Sequence, residues 1–179
     1  AARGYAVLRV NFRGSGGRGR PFIEAGYRQW GAAMQDDVTD ATRWAGAQAD
    51  IHASRICLWG ESYGAYAALM GAAREPTLYR CVIGMAGPYH LPTLYRWGDT
   101  HKSRYGRAYL DRVLGKDESL LLERSPTQHA KAIKADILLV QGMRDRRTSP
   151  EHLRAMRRRL DEAGKKYQVY QPSGQAHGN

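Results

Sequence analysis

Only two cysteines occur in the 179 residues, Cys57 and Cys81. Two cysteines without metal-ligand spacing make neither a zinc site nor a disulfide scaffold. Both fall in short apolar runs, so each is read as a small apolar residue of a buried strand. No apolar run is long enough to cross a membrane. No initiator methionine opens the chain, which leaves a signal peptide, and with it cytoplasm or periplasm, open. Repeats, low-complexity tracts and interdomain linkers are absent, so 179 residues make one domain with one core. Acidic residues are few, 17 against 28 basic, for a net charge of +11. Such an excess suits a nucleic-acid partner only when it is gathered on one face. Here it is spread over many segments. Its densest cluster, Arg154 with Arg157-Arg158-Arg159, sits on an amphipathic helical pattern and reads as a solvated face. The expectation is no nucleic-acid and no membrane partner.

What is present is an alternation of strand and helix patterns. Tyr5 to Phe12 reads as a buried strand (Val7, Leu8, Val10), followed by a long glycine-rich loop, Arg13 to Gly31. Met34, Val38, Ala41 and Ala45 recur at helical spacing, with Asp36 and Asp37 in the first turn. Arg55 to Trp59 and Cys81 to Ala86 read as strands, with a nearly all-apolar and hence buried helix, Ala65 to Ala73, between them. Gly87 to Gly106 is irregular, and two short helices follow within Tyr105 to Glu123. Ile137 to Gln141 is a strand. Ser149-Pro150 opens a helix with the buried stripe Leu153, Met156, Leu160 and Ala163, ended by Gly164. Tyr167 to Gln171 is the fifth and last strand. Alternating elements of this kind imply an α/β fold, a mostly parallel sheet flanked by helices.

Gly60-Glu61-Ser62-Tyr63-Gly64 reads Gly-x-Ser-x-Gly between a strand and a helix. A serine at the tip of such a turn exposes its hydroxyl, and its neighbours must be small. The helix behind it aims N–H groups at the oxyanion that forms when Ser62 attacks a carbonyl. The bland alternative is an ordinary turn with Ser62 as a helix cap. A serine nucleophile needs a base, and the base needs an orienting carboxylate. Asp145 follows the strand Ile137 to Gln141, where ligands bind in open α/β sheets; the alternative there is a salt bridge to Arg144, Arg146 or Arg147. Of six histidines, His129 and His152 fall in helical patterns. His52 lies at the wrong end of the Ser62 strand, and His90 and His101 lie in the irregular region. Only His177 combines a strand end with a following glycine. The order Ser, Asp, His is that of the strand–turn–helix hydrolases.

Arg3-Gly4-Tyr5-Ala6-Val7, Asn11-Phe12-Arg13-Gly14-Ser15, Gln29-Trp30-Gly31, Gln35-Asp36-Asp37, Gly60-x-Ser62-Tyr63-Gly64 and Gln141-Gly142-x-x-Asp145 together resemble the catalytic domain of prolyl oligopeptidase-family serine peptidases. The acylaminoacyl-peptidase or dipeptidyl-peptidase branch is the nearest in pattern. The resemblance implies an α/β-hydrolase fold with Ser62 as nucleophile, Asp145 as orienting acid and His177 as general base. It implies the Tyr63 N–H as an oxyanion donor. Pro88 and Leu91, with the Tyr63 ring, fall where the family lines its pocket for the side chain before the scissile bond. Short peptides are the implied substrates, without metal or organic cofactor, and a homo-oligomer is left open. A carboxylesterase of the same fold and an inactive interaction domain are the alternatives.

Departures from the family pattern also stand out. Ala65 replaces a second glycine, and Gln175 occurs near where an acidic residue is common. The family pattern further implies residues before Ala1: a β-propeller, the second oxyanion donor, and hydrolase strands, one of them between the Tyr5–Phe12 strand and the Ser62 strand. A final helix is implied after Asn179. Residues 1–179 are therefore read as part of an α/β-hydrolase peptidase domain lacking its N-terminal strands. Gly14 to Gly19 also matches Gly-x-Gly-x-x-Gly, but that fingerprint opens a helix at once, whereas Arg20-Pro21-Phe22 follows here. Unpaired apolar strand edges favour aggregation, so the isolated 179-residue chain is expected to be poorly stable and nearly inactive. High turnover of an acyl-peptide by the purified chain, abolished by Ser62→Ala, would contradict this.

Overall fold

The computed structural model describes residues 4–177; Arg3 of the resemblance and the glycine after His177, Gly178, lie outside them. Four parallel strands form one sheet in the order β1 (Cys57–Glu61), β2 (Cys81–Met85), β3 (Asp136–Val140) and β4 (Gln168–Tyr170). The register pairs Gly60 with Gly84 and Gly84 with Leu139. The described residues also form six α-helices: α1 (Arg20–Glu24), α2 (Ala33–Gly46), α3 (Tyr63–Arg74), α4 (Arg104–Val113), α5 (Glu118–Glu123) and α6 (Glu151–Glu162).

Alternation along the strands decides where the core sits. Val82, Ile137 and Leu139 point to one face, where they pack with Leu69 and Ala72 of α3 and with Leu153, Met156 and Leu160 of α6. Every residue from Ala65 to Ala73 is buried, as an all-apolar helix demands. A second cluster joins Tyr66 of α3 to Leu91, Leu94, Leu110, Val113 and Leu121. α6 ends in a Schellman turn: Gly164 adopts φ 65, its N–H bonds Asp161 O, and the Lys165 N–H bonds Leu160 O, both at 2.9 Å.

Four expectations need correction. Residues 5–12 form no strand and pair with none among the described residues, and Tyr5, Val7 and Leu8 are exposed. A strand exists only through its neighbour's hydrogen bonds, so the sheet has four strands among the described residues rather than five. Cys57 and Cys81 are not buried core residues. Cys57 is exposed, Cys81 is half-buried, and the two form a disulfide. They occupy registered positions on adjacent strands with Cα atoms 4.6 Å apart, within bonding reach. Ala41 and Ala45, which recur at helical spacing with Met34 and Val38, are only half-buried; the buried stripe of α2 is Met34, Gln35, Val38, Thr39 and Thr42. Finally, a five-residue helix, α1, does open at Arg20, directly after Gly19. Pro21 in its first turn suits a helix start, although no strand precedes the glycine run among the described residues.

His152 of α6 is fully buried. Burial, then the nearby His90, lowers its pKa from the ordinary 6.5 to about 3. The folded chain therefore keeps this imidazole neutral while the unfolded chain protonates it. It costs no stability above pH 6.5, and stability falls as pH drops from there toward 3. The slope is at most about 1.4 kcal/mol per pH unit. His152→Leu is expected to flatten that decline when urea midpoints are compared at about pH 7 and about pH 5. An unchanged decline would contradict it.

Candidate active site

Ser62 follows β1 directly and adopts φ 54, ψ −118, a left-handed conformation rare for a residue with a side chain. Gly60 makes this turn sterically possible. A Cβ there would lie 2.2 Å from the Gly64 carbonyl, so β1 and α3 approach as closely as backbone allows. Gly64 itself has open space where a Cβ would stand; the demand for smallness falls on the first glycine. The Ser62 N–H bonds Met85 O at 2.8 Å, tying the turn to β2. No side-chain cap bond forms at the start of α3, so the cap reading of Ser62 does not hold.

Asp145 lies in the loop after β3, with its side chain fully buried. Its Oδ1 accepts the N–H groups of Arg147 (2.9 Å) and Thr148 (2.8 Å), and its Oδ2 accepts Gln141 Nε2 (3.1 Å). The Arg147 guanidinium turns away to Asp99 (2.7 Å). None of the three neighbouring guanidiniums pairs with the carboxylate among the described residues, against the salt-bridge alternative.

His177 completes the set. Its Nδ1 lies 2.8 Å from Asp145 Oδ2 and its Nε2 lies 3.1 Å from Ser62 Oγ. Ionised carboxylates only accept, so Nδ1–H donates to Asp145 and Nε2 accepts from the serine hydroxyl. Residues 62, 145 and 177 thus meet at the C-terminal ends of β1, β3 and β4. The loops carrying the last two are stitched together. Arg144 N–H bonds Gln175 O at 3.0 Å, and a Cβ on Gly142 would stand 2.5 Å from that same oxygen.

Beside Ser62 opens a cavity of about 470 Å³ walled by Trp30, Tyr63, Pro88, Leu94, Tyr109 and Leu110, with Arg147 at its edge. Pro88 and Tyr63 both line it. Leu91 is fully buried in the second core cluster, and Leu94 faces the cavity instead. Residues 91–95 form a tight 3-10 turn, a local geometry that spacing alone did not reveal. The Tyr63 ring has two sets of neighbours. It lines the cavity and packs on Phe12, Trp30 and Tyr66 at centroid distances of 5.1, 4.5 and 5.6 Å. Burial pushes its phenol pKa well above 10. As the first residue of α3, Tyr63 has a backbone N–H with no acceptor inside the helix.

Two residues that sequence reasoning left without a role are Gln141 and Gly142. The signal for Gly142 was its place in the Gln141-Gly142-x-x-Asp145 pattern; the contact that demands a glycine involves a loop more than thirty residues away.

The prolyl oligopeptidase family matches residues 1–179. Dipeptidyl aminopeptidase BIII of Pseudoxanthomonas mexicana is 37% identical over 82% of this chain and 22% of its own length. Dipeptidyl peptidase family member 6 of Caenorhabditis elegans is 33% identical over 81% of this chain and 20% of its own. The chain thus spans about a fifth of the curated relatives it matches. Among solved structures, a Mycobacterium tuberculosis puromycin-hydrolyzing peptidase superposes with a TM-score of 0.86 at 24% identity, over 94% of this chain and 25% of that one. The fold is that of the α/β-hydrolase peptidases.

Gly142→Ala is expected to push the His177 loop outward while leaving Asp145 and Ser62 in place. Displacement of about 1 Å costs on the order of 100-fold in reactivity. Fluorophosphonate labelling of Ser62 in the native protein, with circular dichroism as the fold control, checks this; labelling at the wild-type rate would contradict it.

Proposed function

The chain belongs to the prolyl oligopeptidase family, and on that premise we propose that it forms the reactive part of a serine peptidase acting on short peptides. One observation carries the reading: the unbroken hydrogen-bond path from Ser62 Oγ through the His177 imidazole to Asp145, at 3.1 and 2.8 Å. Residues 1–179 are read as part of one catalytic domain, in keeping with the match along the whole chain.

In this mechanism His177 Nε2 takes the proton of Ser62 as Oγ attacks the peptide carbonyl carbon. The carbonyl oxygen becomes an oxyanion and accepts the Tyr63 N–H, which points out of the start of α3. Collapse of the tetrahedral adduct breaks the C–N bond, and the imidazolium gives its proton to the leaving amine. Water then enters, His177 takes its proton, and the acyl-Ser62 ester is hydrolysed. Asp145 keeps Nδ1 protonated and stabilises the imidazolium between the two proton transfers.

The cavity supports a substrate class. Its walls are aromatic and aliphatic, so the side chain on the acyl side of the cut is read as apolar. Burying such a side chain yields about 1.5–3 kcal/mol. The one cation at the edge, Arg147, is already paired with Asp99.

Ser62→Ala and His177→Ala in the native protein are each expected to lower kcat by about 10⁴-fold or more. Paired peptide anilide and ester substrates, bearing an apolar or an acidic residue before the scissile bond, test the class. Cleavage of the ester alone would favour a carboxylesterase, and preference for the acidic residue would overturn the cavity reading.

A further inference from the structure

We propose that Gln141 is a positioning residue that holds the Asp145 carboxylate in the orientation it presents to His177. The inference rests on the serine-hydrolase reading above. Gln141 follows the last residue of β3, and its backbone N–H bonds Tyr170 O at 3.1 Å, which anchors it against β4. Its side chain is buried, with the residue only 1% exposed. Nε2 lies 3.1 Å from Asp145 Oδ2, 3.1 Å from Thr148 O and 3.2 Å from Gly142 O. The opposite amide orientation would set Oε1 against three oxygens, so the surroundings dictate which end faces them. One side chain therefore ties together the first residue of the loop, its carboxylate and its last turn.

The carboxylate has about four lone-pair sites, and four donors occupy them. Arg147 N–H and Thr148 N–H share Oδ1; Gln141 and His177 share Oδ2. Gln141 is the side-chain donor on the oxygen that also serves the imidazole. Its removal has two effects. The carboxylate loses the contact that fixes its plane against the imidazole. The charge on Oδ2, no longer shared, bears on Nδ1–H alone and favours the protonated imidazole more strongly.

Gln141→Met keeps length and bulk but removes the donor. In the native protein it is expected to lower kcat about 10- to 100-fold with KM nearly unchanged. The acidic limb of the kcat/KM–pH profile should move to higher pH. Gln141→His, which retains a donor, should recover most of the loss. Gln141→Leu, which likewise offers no donor, should move the limb in the same direction; it also serves if Gln141→Met does not fold. An unmoved limb in the folded variants, whether kcat falls or not, overturns the inference, since a merely structural glutamine would leave it in place. Fluorophosphonate labelling of the wild type separates the two levels. Labelled wild type with unshifted variants sinks the Gln141 assignment alone, whereas wild type unlabelled at Ser62 takes the hydrolase reading down with it.

Discussion

A serine held at φ 54 is the constraint around which this chain is built. A residue with a side chain in that region costs about 1–3 kcal/mol and persists only where its surroundings over-determine it. Three features do so here. β1 is zipped to β2 over five registered pairs. The Ser62 N–H continues that ladder to Met85. On the other side, α3 is gripped by core along nine consecutive buried residues. Neither element can rotate to relax the turn, because Gly60 and Gly64 are already in backbone contact. The hydroxyl is thereby lifted out of the sheet toward the ends of β3 and β4.

The rest of the site depends on how closely two loops approach. The segment after β3 carries the carboxylate, and the segment after β4 carries the imidazole. They interlock through Arg144 and Gln175 and through the bare Cα of Gly142. Asp145 is satisfied largely from within its own loop, which leaves one oxygen to face the imidazole. A second contact braces the cavity side. Asp99 N–H bonds Arg146 O at 2.7 Å, and the Asp99 carboxylate takes Arg147 Nε. The wall of the cavity and the carboxylate loop are consequently one packed unit.

Much of this was legible in the residues, and the remainder was hidden for identifiable reasons. Ser62, Asp145 and His177, which the structure brings together, stand out as candidates because each lies past a strand pattern, and strand ends are where ligands bind in open parallel sheets. The helices around Met34 and Leu153 are visible through periodicity, and the one from Ala65 through its unbroken apolar composition. Strand register is not. Cys57 and Cys81 look like core residues in their apolar runs, yet alternation turns them to the face opposite Val82, and pairing sets them side by side. Residues 5–12 carry the composition of a strand without a strand to bond among the described residues. Leu91 was assigned to the cavity because sequence distance does not show how tightly residues 91–95 coil, and that coil exchanges Leu91 for Leu94.

The bond between those two cysteines closes a ring. Twenty-four positions separate them, and inside that span lie β1, the Ser62 turn and all of α3. The crosslink sits at the first residue of β1, five residues and roughly 16 Å of strand from the Ser62 hydroxyl. Its effect is topological. Even when the sheet comes apart, the hydroxyl-bearing turn and the helix behind it stay threaded in one covalent hoop, unable to drift farther apart than its circumference allows.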